Sequence, residues 1–503
     1  MKKGQIVEGT VKKVNFPNKG ITEIPGEEKS VLVKNVVPGQ KVRISINKIH
    51  KGQAEGRLLE VTEKAPEEIV PLCPHFGLCG GCTYQNLSYE QQLQIKAEQV
   101  KGMMDQAICG DYVWEGISPS PVINGYRNKM EFTFGDEVKD GPMSLGMHKR
   151  GSFHDVVSAL NCQIVDADYR RILEWTLKAA IDSGMPYYHR MRHTGFFRHL
   201  LVRKAVKTGE ILIDLITASG NDAGNPISSV AAERMLKGWK DQLLRLPLDG
   251  KIVGILHTVN DNIADAVKDE GTQVLFGQDY FYEELLGLKF KITPFSFFQT
   301  NSLGAEILYK KVRDYIGDTK DKVIFDLYSG TGTIAQILAP VAKRVLGVEI
   351  VEEAVEAAKE NAKLNGLDNC IFWAGDVLKV IDELGEVPDL IMLDPPREGV
   401  HPKALEKIID FNVDRLVYIA CKPTSLARDI EIFQDRGYKV ERIACVDLFP
   451  ATYHVETVVM LSHKKPDSHI NVKVEFGEGE GKVPLDNIAK RGAAYKPKER
   501  ATR

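Results

Sequence analysis

The chain has 503 residues, too many for a single hydrophobic core, so we expect about three domains. Its apolar content of 43% excludes wholesale disorder, and its net charge of −3 excludes a uniformly cationic protein. The N-terminus has no apolar signal core, and no apolar run is long enough to span a bilayer. We therefore expect a cytoplasmic protein without a membrane partner, in which clustered cysteines serve metal binding or catalysis rather than disulfides.

Residues 1–64 form a basic segment of short predicted strands. They hold 13 Lys and Arg against 7 Asp and Glu, and their apolar and polar residues alternate in runs that Gly and Pro interrupt. This pattern predicts a small closed β-barrel. The excess of six positive charges suits a nucleic-acid partner, because Lys and Arg displace phosphate counterions, although an ordinary solvated surface would look the same.

A group of cysteines follows the barrel. Cys73, Cys79 and Cys82 lie close together in the sequence, and Cys162 is a distant fourth candidate. Four thiolates suit either a zinc ion or an iron–sulfur cluster, and the spacing alone does not choose between them.

The remaining chain changes pattern near residue 320. Residues 89–104 predict a helix, and residues 120–290 mix strands and helices without a single period, which predicts an α+β domain. Beyond them strand and helix signals alternate, which predicts a doubly wound, Rossmann-like α/β sheet. The predicted strands are 323–327, 344–348, 371–374, 390–393 and 416–420, and the main predicted helices are 351–364 and 424–436.

The ends of these strands carry polar residues that suit a nucleoside cofactor. The first strand runs into residues 326–333, whose glycines let the backbone approach a ligand at the carboxyl edge of the sheet. Glu349 ends the second strand, where a carboxylate can accept both hydrogen bonds of a ribose diol, and Asp376 ends the third, where it could hold an adenine amino group. A dinucleotide dehydrogenase would show a similar pattern.

The Asp-Pro-Pro-Arg motif at residues 394–397 separates these alternatives. Asp-Pro-Pro at the end of this strand is typical of methyltransferases that act on a planar base, although a plain strand-ending turn would also use prolines.

Cys421 ends the next predicted strand and is the candidate nucleophile. A Cys in an apolar strand is usually inert core, but Lys422 and the start of a helix predict a reactive thiolate with a lowered pKa. A thiolate that adds to carbon-6 of uracil activates carbon-5 toward a methyl donor. Glu456, or else His454, would then remove the carbon-5 proton, whereas in isolation Glu456 would be a solvent-facing strand residue.

Together these motifs resemble the RNA uracil-5-methyltransferase family, in particular its 23S ribosomal RNA branch, over nearly the whole chain to Lys464. The motifs that carry the resemblance are residues 297–301, 326–330, 394–397, 420–423 and 447–456. Ser329 and Thr333 depart from residues typical of the family, and we leave them outside the predicted site.

The resemblance implies a cofactor, a cluster and catalytic roles. Cys421 would be the nucleophile and Glu456 the proton acceptor. The implied contacts of S-adenosylmethionine are Gln299, Tyr328, Glu349 and Asp394. The implied ligands of a four-iron four-sulfur (4Fe-4S) cluster are Cys73, Cys79, Cys82 and Cys162. The methyl acceptor would be a uridine of 23S ribosomal RNA, with the T loop of tRNA as the alternative.

The predicted organisation follows from this resemblance and from the sequence pattern. We expect a monomer with a TRAM RNA-binding barrel at 1–64, a cluster segment at 65–92, a central α+β RNA-binding domain at 93–290, a methyltransferase domain at 291–464, and a polar tail without an assigned role at 465–503.

Three other classes of protein share some of these features. A radical-type tRNA methylthiotransferase also combines TRAM with a cluster, but it uses a different Cys spacing and carries TRAM at its C-terminus. An adenine amino-methyltransferase normally has an aromatic residue where Arg397 stands. A non-catalytic RNA-binding protein would transfer no label from a methyl donor.

Overall fold

The alternating N-terminal segment closes into a β-barrel, as its pattern predicts. The computed structural model describes residues 1–50, 53–220, 227–263, 271–380 and 382–463, so the predicted polar tail lies outside the described residues. The barrel strands are β1 (Ile6–Asn15), β2 (Lys19–Glu23), β3 (Val31–Lys34), β4 (Lys41–His50) and β5 (Gln53–Glu63). They neighbour one another in the order β1-β2-β3-β5-β4, and Val, Ile and Ala side chains fill the interior.

The first helix contacts the barrel and connects it to the rest of the chain. This helix, α1 (Tyr89–Ala107), begins with a capping box in which Ser88 and Gln91 each accept the other's backbone N–H. Farther along α1, the amide Nε2 of Gln99 donates a hydrogen bond of 2.9 Å to the carbonyl oxygen of Val14 in the barrel. The prediction of a helix from residue 89 is confirmed.

The central region forms a mixed sheet with helices on one face. Its elements in chain order are β7 (Lys129–Asp136), β8 (Met143–His148), β9 (Val156–Ser158), α2 (Ala167–Ser183), β10 (Phe197–Lys204), β11 (Glu210–Thr217), α3 (Ser229–Leu243), β12 (Lys251–Val259) and β13 (Thr272–Gly277). An earlier strand, β6 (Val113–Ser118), joins another sheet. The strands of the central sheet lie in the order β13-β12-β11-β10-β7-β8-β9, and α2 and α3 pack against one face to build a separate core. Strands β10 and β11 are buried almost throughout, which explains why the sequence shows no clean period-two alternation here.

The C-terminal region is the predicted doubly wound sheet. It follows a hairpin, β14 (Phe281–Leu285) and β15 (Leu288–Ile292), and the bounds of its elements are α4 (Ser302–Ile316), β16 (Thr319–Leu327), α5 (Thr333–Leu338), a 3-10 turn (Ala339–Val341), β17 (Ala342–Glu349), α6 (Glu352–Leu364), β18 (Cys370–Ala374), α7 (Val377–Val380), β19 (Leu390–Leu393), α8 (Pro402–Asp410), β20 (Arg415–Ala420), α9 (Pro423–Asp435), β21 (Tyr438–Val446) and β22 (Glu456–His463). The predicted strands and helices are all present, with ends shifted by a few residues.

The strand order of this sheet gathers the predicted motifs at one edge. The order is β18-β17-β16-β19-β20-β22-β21-β6, with β16 to β20 parallel and β22 antiparallel to both of its neighbours. The carboxyl ends of the parallel strands therefore meet the amino end of β22. Hydrophobic clusters cover both faces of the sheet. Within the ranges described above, no helix combines the length and apolar character needed to cross a membrane.

A buried ion pair joins α1 to the loop between β21 and β22. The ammonium Nζ of Lys96 lies 2.7 Å from Oδ1 of Asp447 and donates a second hydrogen bond of 3.0 Å to the carbonyl oxygen of Phe449. Both charged side chains are 0% exposed. Burial lowers the pKa of Lys96, and the Asp447 carboxylate counteracts this effect by favouring the charged ammonium.

We expect Lys96→Met to lower the free energy of unfolding by about 3–5 kcal/mol, because it leaves the Asp447 carboxylate buried without its cation. Urea denaturation would measure this loss. The double variant Lys96→Met/Asp447→Asn should recover part of it, since the buried charge is then absent. Lys101→Met, which breaks an exposed pair on the same helix, should cost less than about 1 kcal/mol. Equal losses in Lys96→Met and Lys101→Met would contradict this account.

Candidate active site

A cavity of about 1640 Å³ opens at the carboxyl ends of the parallel strands. This is the position at which open α/β sheets bind their ligands. The predicted site residues that line it are Gln299, Tyr328, Glu349, Asp394, Cys421 and Glu456, together with all four predicted cluster cysteines. The fold therefore brings together every residue that the family resemblance implies for the cofactor, the nucleophile and the base.

One end of the cavity has the features expected of a nucleoside site. Backbone N–H groups of Gly330 and Val351 donate to the two oxygens of Glu349, at 2.9 and 3.0 Å, and fix its carboxylate at the end of β17. Each oxygen keeps a lone pair for a further donor, such as a ribose hydroxyl. The Ser329 hydroxyl in the cavity wall is buried and has no hydrogen-bond partner within the described part of the chain. These groups fit a polar nucleoside ligand.

The backbone beside this end is shaped for close approach. Tyr328 has a φ of +68°, and Gly330 and Gly332 also have positive φ values, so the chain turns sharply after β16. The Oδ2 atom of Asp326 accepts the N–H of Ala335 at 3.0 Å and ties this turn to α5. Asp326 thus holds the loop rather than facing the cavity.

The segment before α4 forms the opposite wall. Gln299 lines the cavity and faces the buried Tyr309. The amide of Asn128 donates to the carbonyl oxygen of Gln299 at 2.9 Å, and the Asn301 side chain caps α4 by accepting the N–H of Gly304. The motif at residues 297–301 is therefore held from both sides.

Cys421 lies among two carboxyl groups and one guanidinium. Burial raises the pKa of its thiol to about 11, and the charges of Glu456 and Asp394 add to this rise. Arg397 is the cation that counters them. The sequence predicted a pKa lowered by Lys422 and by the start of α9, and this prediction is wrong for the protein alone because burial is the largest effect on the thiol and raises its pKa.

Glu456 and Asp394 are both strongly perturbed acids. Glu456 begins β22 and is only 4% exposed, so it is not the solvent-facing strand residue that the sequence left open. Burial raises the pKa of Glu456 to about 8, with a further contribution from Asp394, and burial raises the pKa of Asp394 to about 7. Burial lowers the pKa of His454, the alternative base, to about 4, so it is neutral near pH 7.

The loop that leads to Glu456 is held by several parts of the chain. Ala451 has a φ of +67°, a rare conformation for a residue with a side chain. Its carbonyl oxygen accepts the N–H groups of Thr83 and Tyr84 at 2.7 and 2.9 Å, and its own N–H donates to the Gln92 side chain at 2.8 Å. The residues that follow Cys82 therefore contact the loop that leads to Glu456 directly.

Some residues behave differently from their predicted roles. Thr333, which we left outside the site, lines the cavity. Asp376 is not among the lining residues; its Oδ1 atom accepts the N–H of Leu378 and caps α7. Arg397 lies in the cavity wall beside Cys421, a role that the sequence prediction missed although the Asp-Pro-Pro-Arg motif places this residue next to Asp394.

The four predicted cluster cysteines share one region of the cavity wall. Burial raises the pKa of Cys82 to about 12 and that of Cys162 to about 11, and in both cases neighbouring cysteines of the group add to the rise. The Sγ atoms of Cys79 and Cys82 accept hydrogen bonds from Gly81 N–H and from the Gln85 amide. In the described ranges, however, no three His, Cys, Asp or Glu side chains stand close enough to hold a metal ion.

We expect the reactivity of Cys421 to follow the charges around it. At pH 9 Glu456 is largely ionised, so Glu456→Gln should lower the thiol pKa and speed alkylation by iodoacetamide, by up to roughly tenfold for one pKa unit. Arg397→Met should slow the alkylation of Cys421, because it removes the neighbouring cation. Mass spectrometry of the Cys421 peptide measures the rate, with the exposed Cys109 as internal reference. Identical alkylation rates of Cys421 in the wild-type protein, in Glu456→Gln and in Arg397→Met would refute this electrostatic arrangement.

Comparison with known proteins agrees with this geometry. The sequence profile of the family described as tRNA (Uracil-5-)-methyltransferase matches residues 252–374 and 378–464. An uncharacterized RNA methyltransferase of Caldanaerobacter subterraneus is 47% identical over 92% of this chain and 99% of its own length. An uncharacterized RNA methyltransferase of Bacteroides thetaiotaomicron is 35% identical over 86% of this chain and 96% of its own length.

A solved structure shows the same fold. The Pyrococcus abyssi tRNA (uracil-54, C5)-methyltransferase, determined in complex with S-adenosyl-L-homocysteine, superposes with a TM-score of 0.68 and 24% identity, covering 90% of this chain and 100% of that one. The sequence relatives carry the family assignment, and the site geometry is consistent with it. The chain belongs to the family of S-adenosylmethionine-dependent RNA uracil-5-methyltransferases.

Proposed function

We propose that the chain methylates carbon-5 of a uridine in 23S ribosomal RNA through a covalent bond between Cys421 and the uracil. The observation that carries this proposal is the grouping of Cys421, Glu456, Asp394 and Arg397 around one cavity. Uracil carbon-5 is a weak nucleophile, and a thiol, a base and a cation at the same place are what its activation requires.

We assign the cofactor to the end of the cavity at which β17 stops. Gln299, Tyr328, Glu349 and Asp394 would hold S-adenosylmethionine there. When bound, this cofactor supplies an electrophilic methyl group. The fixed Glu349 carboxylate would bind the ribose hydroxyls, and the turn after β16 would let the backbone lie close to the ligand.

The catalytic steps that we assign to the chain's own residues begin at the thiol. Cys421 gives its proton to solvent, and Arg397 stabilises the resulting thiolate. The sulfur bonds to carbon-6 of uracil, and the electrons of the carbon-5 to carbon-6 double bond move toward the carbon-4 oxygen, which makes carbon-5 nucleophilic. After methylation, Glu456 takes the carbon-5 proton, the double bond forms again, and the sulfur leaves carbon-6 as thiolate.

We expect Glu456→Gln to trap the covalent intermediate, because the amide keeps the side-chain size and cannot accept the carbon-5 proton. With labelled methyl donor, this variant should give a protein–RNA conjugate that survives denaturing electrophoresis. Cys421→Ala should abolish methylation while it still binds S-adenosylhomocysteine, and the double variant should form no conjugate. Separate assays with unmodified 23S ribosomal RNA and tRNA test the acceptor.

Three results would overturn parts of this mechanism. Release of methylated RNA by Glu456→Gln at the normal rate would exclude Glu456 as the base. Normal turnover by Cys421→Ala would exclude the covalent step. Methylation of tRNA alone would show that tRNA, the alternative acceptor, is the substrate. The description of the matching family and the name of the neighbouring solved structure both mention tRNA, for those other proteins.

We also propose that Cys73, Cys79, Cys82 and Cys162 hold a 4Fe-4S cluster. Four thiols on one cavity wall are the donor set that such a cluster uses. A zinc ion would use the same type of ligand and is the alternative. The described residues contain no group of three His, Cys, Asp or Glu side chains placed to hold a metal ion, so either group would require the cysteines to move closer together.

We expect protein purified without oxygen to contain iron and sulfide and to absorb visible light. Cys82→Ser should lose most of the iron and lower the melting temperature, because cluster binding is linked to folding. The matched control is Cys109→Ser, which changes an exposed thiol outside the group and should keep its iron. Stoichiometric zinc without iron would contradict the assignment.

The remaining segments receive roles that rest on the same proposal. We assign RNA binding to the barrel of residues 1–64, as a TRAM domain, and to residues 93–290. Residues 65–92 would hold the cluster, and residues 291–464 would carry out methylation. The basic excess of the barrel supports the first assignment, since cations that contact phosphates contribute strongly to RNA affinity.

A further inference from the structure

Three cations stand together where the central sheet meets the cavity. Lys129 on β7 is the direct partner of Arg203 on the antiparallel strand β10, so the two side chains project from the same face of the sheet. Arg127 lies two residues before Lys129, and its Nε atom donates a hydrogen bond of 3.0 Å to the Lys129 carbonyl oxygen. We call these three residues the cation row.

The cation row lies on the face of the sheet that points away from the central core. Met130 and Val202, the neighbouring partners in the same register, pack into the core that α2 and α3 cover. Because side chains alternate along a strand, Lys129 and Arg203 lie on the other face. The side chain of Arg203 donates to the carbonyl oxygen of Ser296, which lines the cavity, and Arg127 lines the cavity itself.

The positive charge of the row is not fully balanced within the protein. Arg203 is only 2% exposed, and its Nε atom is buried without a partner among the described residues. No ion pair joins any member of the row to a carboxylate anywhere in the described ranges, and the acceptors that Arg127 and Arg203 use are neutral backbone carbonyls. Glu131, next on the same face, has its Oε1 atom 3.8 Å from Nδ1 of His199.

Three neighbouring cations lower the stability of the folded protein unless a bound anion balances their charge. Like charges directly opposite each other on neighbouring strands repel, and a buried charge without a partner is strongly unfavourable. Burial lowers the pKa of Lys129 to about 8, Arg203 adds to this fall, and the Glu131 carboxylate offsets only part of it. A ligand anion would remove this cost on binding.

We propose that Arg127, Lys129 and Arg203 bind a backbone phosphodiester of the RNA strand beside the target uridine. This inference rests on the proposed function, which supplies the RNA. A phosphodiester fits because its two free oxygens accept several hydrogen bonds from guanidinium and ammonium groups. Arg127 lines the cavity of Cys421 and Glu456, and Arg203 donates to Ser296 in its wall, so a phosphate bound at the row would position the neighbouring base there.

Lys129→Met tests this inference with an unmodified 23S ribosomal RNA fragment as the probe. We expect the RNA dissociation constant to rise by roughly tenfold, as for one lost charged hydrogen bond, and the slope of log affinity against log salt to become shallower by about 0.7–1. The melting temperature should stay equal or rise, because the repulsion is relieved. Arg127→Gln should show the same loss of RNA affinity.

The matched control is Lys237→Met, which removes the same charge from α3, an exposed position on the helix-covered side of the sheet, and should leave RNA binding unchanged. An unchanged affinity and salt slope in both Lys129→Met and Arg127→Gln would overturn the inference. The inference would also be overturned if these two variants bound S-adenosylhomocysteine more weakly, as measured by calorimetry, while their RNA binding stayed intact. The cation row would then bind the carboxylate of the cofactor.

Failure of the proposed function would look different. If the wild-type protein binds the RNA fragment but transfers no methyl group to it, the proposed function fails. A loss of RNA affinity confined to Lys129→Met and Arg127→Gln would still support the phosphate site in that case.

Discussion

The buried ion pair between Lys96 and Asp447 fixes the position of the loop that leads to Glu456. It joins residues 351 positions apart in the chain and holds this loop against α1. The same helix holds the barrel through Gln99, so one element links the barrel to the loop that leads to Glu456. A buried charge pair of this kind tolerates little displacement, because either charge alone in the interior is costly.

Burial controls the chemistry of the site as much as the identity of its residues does. Cys421, Asp394 and Glu456 are all acids whose pKa values burial raises, and Arg397 is the cation beside them. These surroundings favour a neutral thiol, which is less open to oxidation than a thiolate. The backbone hydrogen bonds between Ala451 and the residues after Cys82 place the cysteine segment directly against the loop that leads to Glu456.

The cation row extends the same reasoning to the RNA. Around Cys421 the protein gathers acids with one cation, whereas on the face of the central sheet that points away from its core it gathers cations with little compensating negative charge. The two arrangements suit different parts of one nucleotide strand, a base that must exchange protons and a phosphate that remains charged. The barrel, with its own positive excess, would add further phosphate contacts.

Local patterns in the sequence were enough to predict the order and type of the elements in the C-terminal sheet, because strand and helix periods and the residues at strand ends are local properties. Glu349, Asp394 and Cys421 could be placed at one edge of a parallel sheet for that reason. The folded arrangement was needed to establish that burial raises the thiol pKa and that Glu456 is enclosed. It was also needed to pair Lys129 with Arg203, because burial, charge and register depend on residues that are distant in the chain.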